Sequence, residues 1–398
     1  MENDLKNDFG LPRRKTRQIS IGGVLIGGGA PISVQSMTKT DTRDVKATVA
    51  QIKRLEKAGC EIVRLAVPDR RAVAALREIR EKARVPLVAD IHFDHRLALA
   101  CIDLGIDGLR LNPGNIGSRV KIKEVVLAAK ERHIPIRIGV NAGSLEKDLL
   151  QKYGGATPTA MVESAMRHIR ILEDLDFRLI KISLKASDVL RTIEAYRRLS
   201  RQTDYPFHSG ITEAGPLLCG TVKSSVGLAL LLQEGLADTI RVSLAASPEN
   251  EVRVAYQILG SLELRRRGPN IVACPTCGRC ETDLTSIAAN IEKNLSHIPQ
   301  SLTVAVMGCM VNGPGEAKEA DVGVACGRGV GILFKNGRLI RRVPGNRIGA
   351  ELLKEVEKLV SAAAGAPGFA RGSTSAVLAR GYKPRASGER KARPLTKK

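Results

Sequence analysis

The runs "PLVADIH" (Pro86–His92) and "GLRLNPG" (Gly108–Gly114) decide the fold. Each is a short aliphatic segment, and a stretch of amphipathic helical period separates them. The alternation continues in both directions. Upstream lie "ISVQSMT" (Ile32–Thr38) and "EIVRLAV" (Glu61–Val67); downstream lie "PIRIGVN" (Pro135–Asn141), "LIKISLK" (Leu179–Lys185), "FHSGITE" (Phe207–Glu213) and "DTIRVSL" (Asp238–Leu244). Helical patterns separate them, as in "TPTAMVESAMRHIRILEDL", where Thr157 reads as a cap ahead of Pro158. Eight strand–helix units predict an α/β fold, a (β/α)8 TIM barrel over residues 31–264. A doubly wound open sheet is the alternative, but no G-x-G-x-x-G follows the first strand. Ahead of the barrel, residues 1–30 end in "RQISIGGVLIGGGAP", a hairpin suited to covering the barrel bottom.

After Gly260 the rhythm changes. "RRRGPN" (Arg265–Asn270) reads as a linker. A helix around Asp283–Leu295 follows, then strands at "LTVAVMG" (Leu302–Gly308), "DVGVAC" (Asp321–Cys326) and "GILFKNG" (Gly331–Gly337), and a final helix near Arg347–Ala362. Residues 265–363 therefore read as a small α+β domain. Residues 364–398 carry nine Lys/Arg against one Glu and read as a basic disordered tail, solvated or in contact with an anionic partner.

The chain has 398 residues and a net charge of +22. Aromatics make up 3% and there is no Trp, so the core must be aliphatic. No apolar run approaches the ~20 residues of a membrane span. The start "MENDLKNDFGLPRRK" lacks the apolar core of a secretory signal, which predicts a cytoplasmic protein. Eight cysteines in that setting argue for metal binding or catalysis over disulfides.

Side chains two apart on a strand share a face. Several runs place polar groups on one face near the strand end: Asp90 with His92, Arg110 with Asn112, Arg137 with Asn141, Lys181 with Ser183 and Lys185, and Arg241 with Ser243. Arg64 and Glu213 join them. Barrel interiors are normally filled by branched apolar side chains, and active sites of the fold lie at the C-terminal face. Buried cations are costly unless paired. Internal pairing with Asp90 or Glu213 is one outcome. Six basic residues on five strands exceed the obvious carboxylates, however, and the excess predicts a site for an anionic small molecule, most simply a phosphate or diphosphate ester. The glycines of "NPGNIG" (Asn112–Gly117) permit close backbone approach to an anion; in "NAGSLEKD" (Asn141–Asp148), Ser144 and Glu146 read as cap elements.

"ACPTCGRC" (Ala273–Cys280) sets Cys274, Cys277 and Cys280 in a C-x-x-C-x-x-C run, and "MGCMVNGPGE" (Met307–Glu316) adds Cys309 and Glu316. A zinc site of two C-x-x-C knuckles would need a partner beside Cys309, and none is there. Iron–sulfur clusters are also held by C-x-x-C thiolates. Spacing leaves both metals open. A zinc-ribbon nucleic-acid-binding protein is the rival reading of the charge and the cysteines; the scarcity of aromatic stacking residues counts against it. Cys60, Cys101 and Cys219 read as small buried hydrophobes.

Taken together, "VQSMT", "VADIHF", "RLNPGNIG", "PIRIGVNAGSLEKDL", "GITEAG", "IRVSLAA", "ACPTCGR" and "GCMVNGPGEA" resemble the bacterial 4-hydroxy-3-methylbut-2-enyl diphosphate synthases of the non-mevalonate isoprenoid route, from about Arg13 to Leu359. The resemblance implies an oxidoreductase with a TIM barrel followed by a [4Fe–4S] domain, in a homodimer. It implies two-electron reductive ring opening of 2-C-methyl-D-erythritol 2,4-cyclodiphosphate, with flavodoxin or ferredoxin as donor and no nucleic-acid or membrane partner. By motif position, Cys274, Cys277, Cys309 and Glu316 would ligate the cluster. Arg64, Arg110, Arg137, Asn141, Lys185 and Ser243 would cradle the diphosphate, with Glu213 near the reacting carbons. Glu316, a harder ligand than a thiolate, would yield to a substrate oxygen; Asn312 would hydrogen-bond that oxygen or simply make its turn. Cys280 departs from the family pattern and offers an all-thiolate alternative, in which it joins Cys274, Cys277 and Cys309 in place of Glu316. Because the barrel carries the anion ligands and the small domain the thiols, the cluster domain of one subunit is expected to cap the barrel of the other.

Overall fold

The computed structural model describes residues 5–6, 11–116, 118–280, 282–311 and 313–364. Gly117, Asn312 and the basic tail beyond residue 364 lie outside the described residues. The described chain forms two compact units: residues up to Pro269 together with Ser296–Ser301, and Asn270–Leu295 together with residues from Leu302 onward.

The first unit is the eightfold barrel. Its strands are β1 (Ser33–Met37), β2 (Ile62–Ala66), β3 (Leu87–Asp90), β4 (Gly108–Leu111), β5 (Ile136–Asn141), β6 (Ile180–Lys185), β7 (His208–Ser209) and β8 (Thr239–Ile240). They pair in parallel in the order β6-β5-β4-β3-β2-β1-β8-β7, and a parallel bridge between Ile182 and Phe207 joins the two ends of the row. The helices after them are α1 (Val45–Ala58), α2 (Arg70–Lys82), α3 (His95–Asp103), α4 (Arg119–Glu131), α5 (Pro158–Glu173), α6 (Val189–Ser200), α7 (Leu217–Gln233) and α8 (Pro248–Ser261). Asp44, Asp69 and Asp188 cap α1, α2 and α6 by accepting from Ala47, Ala72 and Arg191. Thr157 accepts from Ala160 at the start of α5, as its place before Pro158 predicts. Each such cap is worth about 1 kcal/mol.

Outward strand residues such as Val63, Leu65, Ala89, Leu109, Ile136 and Ile182 are fully buried beneath the helices, forming the aliphatic core expected of a chain without Trp. The hairpin Ile19–Ile21/Val24–Ile26 packs Ile19, Ile21 and Ile26 on Ile62 and Val88, and so plugs the barrel with apolar atoms. β7 and β8 are shorter than their sequence runs. A Cβ on Gly210 would sit 2.2 Å from the Arg241 carbonyl oxygen, so the two chains converge there more closely than regular pairing allows.

The second unit is a five-stranded sheet in sequential order: β9 (Pro269–Ala273), β10 (Leu302–Met307), β11 (Val322–Gly327), β12 (Val330–Lys335) and β13 (Arg338–Pro344). Its helices are α9 (Leu284–Leu295), α10 (Gly313–Glu319) and α11 (Ile348–Ala364). β10 and β11 are parallel with α10 as their crossover; β11–β12–β13 is an antiparallel meander. The linker read at Arg265–Asn270 falls where the two units divide, between Pro269 and Asn270, but it is not a free segment. Arg265 is anchored in the barrel unit by Glu61 (2.8 and 3.1 Å) and the Ile32 carbonyl (2.6 Å), and Pro269–Asn270 already belong to β9. β9 is an edge strand, where Pro is tolerated.

Candidate functional site

Register builds the barrel site. Asp90 pairs with Arg110, Arg110 with Arg137, and Arg137 with Lys181 across four adjacent parallel strands, so all four side chains point into the barrel. At the C-terminal strand ends Asn141 pairs with Lys185. Asp90 lies 3.1 Å from Arg110 and 3.5 Å from both Arg64 and His92. Burial pushes its carboxyl upward, but Arg64, Arg110 and Arg137 outweigh that and hold it below the usual range. Arg110 also donates to the Gly139 carbonyl at 3.0 Å, and Asn112 accepts from the Gly139 amide at 2.9 Å.

Internal pairing accounts for only some of these cations. Asp90 takes Arg64 and Arg110, and Arg241 lies 3.6 Å from Glu251. Glu213, the other expected partner, is exposed and forms no ion pair among the described residues. Arg137, Lys181 and Lys185 are 3%, 1% and 6% exposed, and none has a carboxylate partner among the described residues. Arg137 Nε and Nη1 and Lys181 Nζ make no hydrogen bond at all. Burial, reinforced by neighbouring cations, drives all three well below their ordinary pKa values, and burial brings Arg64 down to about 10. The buried Ser243 hydroxyl is likewise unpartnered, and Asn141 is half-buried beside Lys185. Unpaired buried cations cost several kcal/mol each. Their arrangement suits an incoming polyanion that supplies the missing charge. Glu213 holds φ +51°, a left-handed conformation uncommon for a residue with a Cβ, in the loop after β7.

Supporting residues escaped the sequence reading. Glu251, on α8 and 1% exposed, accepts from Ser36 Oγ (2.8 Å) and the Leu244 amide (3.1 Å) and pairs with Lys39 (3.1 Å). It thereby fixes the segment carrying Arg241 and Ser243. Two acids in the first turn of a helix look like ordinary dipole complements, which hid it. Glu146, read as a cap element, makes no capping bond. Its carboxylate instead meets His168 Nε2 at 3.2 Å and Ser164 Oγ at 3.1 Å. His168 also lies where a Cβ on Gly114 would be, at 2.7 Å, so one buried ring braces the loops after β4 and β5. Cys60 and Cys101 are buried, with thiols pushed up to about 12, but Cys219 is exposed, contrary to its reading as a buried hydrophobe.

In the second unit the thiols gather at one end of the sheet. Cys274 follows β9 directly and its amide donates to the Val306 carbonyl of β10 at 3.0 Å; Cys309 lies just past the end of β10. Glu316 is in the first turn of α10 and exposed. Cys277 is exposed, and Thr276 before it holds φ +67°, strained for a β-branched residue. Cys280 donates to the Thr282 carbonyl, and its sulfur would be 2.8 Å from a Cβ on Gly308. Among the described residues no three His, Cys, Asp or Glu side chains converge to ligand distance. Three thiols in loops beyond adjacent strand ends and a carboxylate in the first turn of α10 nonetheless fit a thiophilic metal centre as a donor set. Asn312 is outside the described residues.

Fold and cradle together define the class: a (β/α)8 barrel protein built for a polyanionic small molecule, with a cysteine-bearing α/β unit attached. The GcpE TIM-barrel domain matches residues 16–256 and the GcpE protein C-terminal domain residues 270–358. A 4-hydroxy-3-methylbut-2-en-1-yl diphosphate synthase (flavodoxin) of Geobacter sulfurreducens is 60% identical over 349 residues, covering 88% of this chain and 99% of that protein. The protein of the same name from Thermodesulfovibrio yellowstonii is 58% identical, covering 87% and 100%. The chain belongs to the GcpE family, as its motifs indicated. No helix among the described residues is long and apolar enough to cross a membrane.

Proposed function

We propose that this chain is an oxidoreductase that converts 2-C-methyl-D-erythritol 2,4-cyclodiphosphate to 4-hydroxy-3-methylbut-2-enyl diphosphate in the cytoplasm, with flavodoxin as electron donor. Two electrons and two protons enter and one water leaves. The observation that carries the reading is the set of buried cations without carboxylates, Arg137 and Lys185 above all, at the heart of a barrel whose relatives bear that name.

Arg64, Arg110, Arg137 and Lys185 neutralise the two phosphates, while Asn141 and Ser243 donate to their oxygens. Because these groups are fixed by strand register, binding orients the ring without reorganising the protein. Glu213 stands beside the reacting carbons, where its carboxyl hands a proton to the oxygen leaving as water. Cys274, Cys277, Cys309 and Glu316 would hold a [4Fe–4S] cluster, which when bound supplies the reducing electrons. Glu316 would be the exchangeable donor, since a carboxylate is harder than a thiolate. Asn312 orients the same oxygen. Cys280, engaged with Thr282, stays outside the ligand set. The functional unit is a homodimer in which the cysteine-bearing unit of one chain serves the barrel of the other. The basic surface receives the acidic donor, so turnover is salt-sensitive.

The test is an anaerobic assay of purified, cluster-reconstituted protein with reduced flavodoxin and the cyclodiphosphate, alongside iron, sulfide and zinc analysis. Product formation with iron and sulfide in equal amounts is expected. Zinc without sulfide after reconstitution, and no product, would remove the redox reading. Mixing Cys309→Ser and Arg137→Ala chains tests the dimer. Restored activity is expected, and none in verified heterodimers overturns that arrangement.

A further inference from the structure

Beside Arg137 the barrel holds two buried polar side chains, Lys181 and Gln35, that the proposed reaction leaves unexplained. Arg137 and Lys181 are register partners near the starts of β5 and β6, and Gln35 is the middle residue of β1. With Ile21 of the hairpin plug, Val88, Leu109 and Pro135, they line a cavity of about 10 Å³. All three polar side chains are at least nine-tenths buried. Lys181 Nζ, Arg137 Nε and Nη1, and both amide atoms of Gln35 lack any hydrogen-bond partner. The neighbouring carboxylates are engaged elsewhere. Asp90 serves Arg64 and Arg110, and Asp238 accepts from the Phe207 amide at 2.9 Å and lies 3.5 Å from Arg13.

Two like charges side by side in a dry interior need a counter-charge or the loss of a proton. Loss of the Lys181 proton gives one new acceptor, the amine lone pair, and still leaves most of the N–H groups of the pair orphaned. The lining settles what suits the space. It presents the lysine and arginine N–H groups and the Gln35 NH2 as donors, against one obvious acceptor, Gln35 Oε1. Beside the ammonium, a water with two hydrogen bonds to donate finds one acceptor. An anion only accepts. The space is of single-atom size, too small for the five heavy atoms of a tetrahedral oxyanion.

We propose that this cavity binds one halide-sized monovalent anion between the Lys181 ammonium, the Arg137 guanidinium and the Gln35 amide. The site shares Arg137 with the cradle proposed above but adds Lys181 and Gln35, which the reaction does not use and on which the test acts.

The experiment is thermal melting of the intact protein at fixed ionic strength, exchanging gluconate for chloride, together with a bromide-soaked crystal. A saturable upward shift of Tm with chloride is expected, along with an anomalous bromide peak within hydrogen-bond distance of Lys181 Nζ and Arg137. Lys181→Met should abolish both; Gln35→Leu, a milder change, should weaken the chloride shift if Lys181→Met fails to fold. Melting indifferent to halide, or a cavity holding water or nothing in the bromide crystal, overturns the proposal. So does a halide response that survives in Lys181→Met.

Discussion

In the barrel, five of the six proposed cradle residues stand on strands whose register to the next strand is fixed: Arg64, Arg110, Arg137, Asn141 and Lys185. In the second unit, Cys274, Cys277 and Cys309 stand on loops beyond strand ends, and Cys277 is exposed. Backbone hydrogen bonds position the first set before any ligand arrives. The second set is held less firmly: the Cys274 amide bonds to the Val306 carbonyl of β10 at 3.0 Å, while Cys277 lies in a turn closed by the 2.9 Å bond from the Cys280 amide to its carbonyl. Donors of that kind take their final geometry from what they hold, so metal binding and local folding are coupled there. One chain thus combines a preorganised anion site with a donor set that its ligand organises.

The largest expected effect separates the two. Cys309→Ser should abolish turnover and most of the bound iron, while affinity for the cyclic diphosphate moves by no more than about twofold. Calorimetry with the substrate and iron analysis read the two halves separately. Loss of substrate affinity along with iron would break the comparison.

Next in size is Lys185→Met. It removes a buried cation that has no carboxylate partner among the described residues, so substrate binding should weaken by about 10²–10³-fold. Without substrate the same change should stabilise the fold by about 1–2 kcal/mol, because an unpaired charge no longer has to be buried. Urea unfolding measures the second effect. A destabilised variant would mean that Lys185 has a structural partner.

Gly139→Ala sharpens the claim of rigidity. Its Cβ would fall 2.6 Å from Arg110 Nε, and Arg110 is tied to Asp90 at 3.1 Å and to the Gly139 carbonyl at 3.0 Å. It has little room to yield. Overpacking of this kind costs about 1–3 kcal/mol, and KM should rise by about two- to twelvefold if half of that falls on the cradle. An unchanged KM would show the cradle to be more pliant than its register implies.

The legibility of the sequence follows the same division. Period-two polar sets on strands are visible without coordinates, so Asp90, Arg110, Arg137 and Lys185 could be named, and the hairpin plug followed from its β-branched residues and glycines. Glu251 could not be named, because a helix-start acid looks the same whether it complements a dipole or reaches Ser36 and Lys39 across the barrel. Gln35 was invisible for a related reason: an amide on a strand carries no charge to mark it. β9 was not foreseen because "RRRGPN" has the composition of the linker it largely is, and only Pro269 and Asn270 pass into the edge strand. Glu146 was given the wrong partner because local capping is the nearest use for such a residue, and His168 lies on the following long helix.

The smallest predicted effect concerns that last pair. Burial raises the Glu146 pKa, but hydrogen bonds from His168 and Ser164 outweigh it and hold the group at about 2, against an ordinary 4.5. A folded-state pKa depressed in this way contributes stability that is present above about pH 4.5 and lost as pH falls toward 2. Glu146→Gln keeps a hydrogen-bonding oxygen but has no proton to gain. Its deficit relative to the parent protein should be largest near neutrality and close as pH falls through that window. Urea midpoints at a series of pH values read the convergence, which should be modest because Glu146 is partly exposed and solvent screens it. A deficit constant with pH would mean that shape, not charge, braces the loops after β4 and β5, and that the barrel's preorganisation stops at its strand ends.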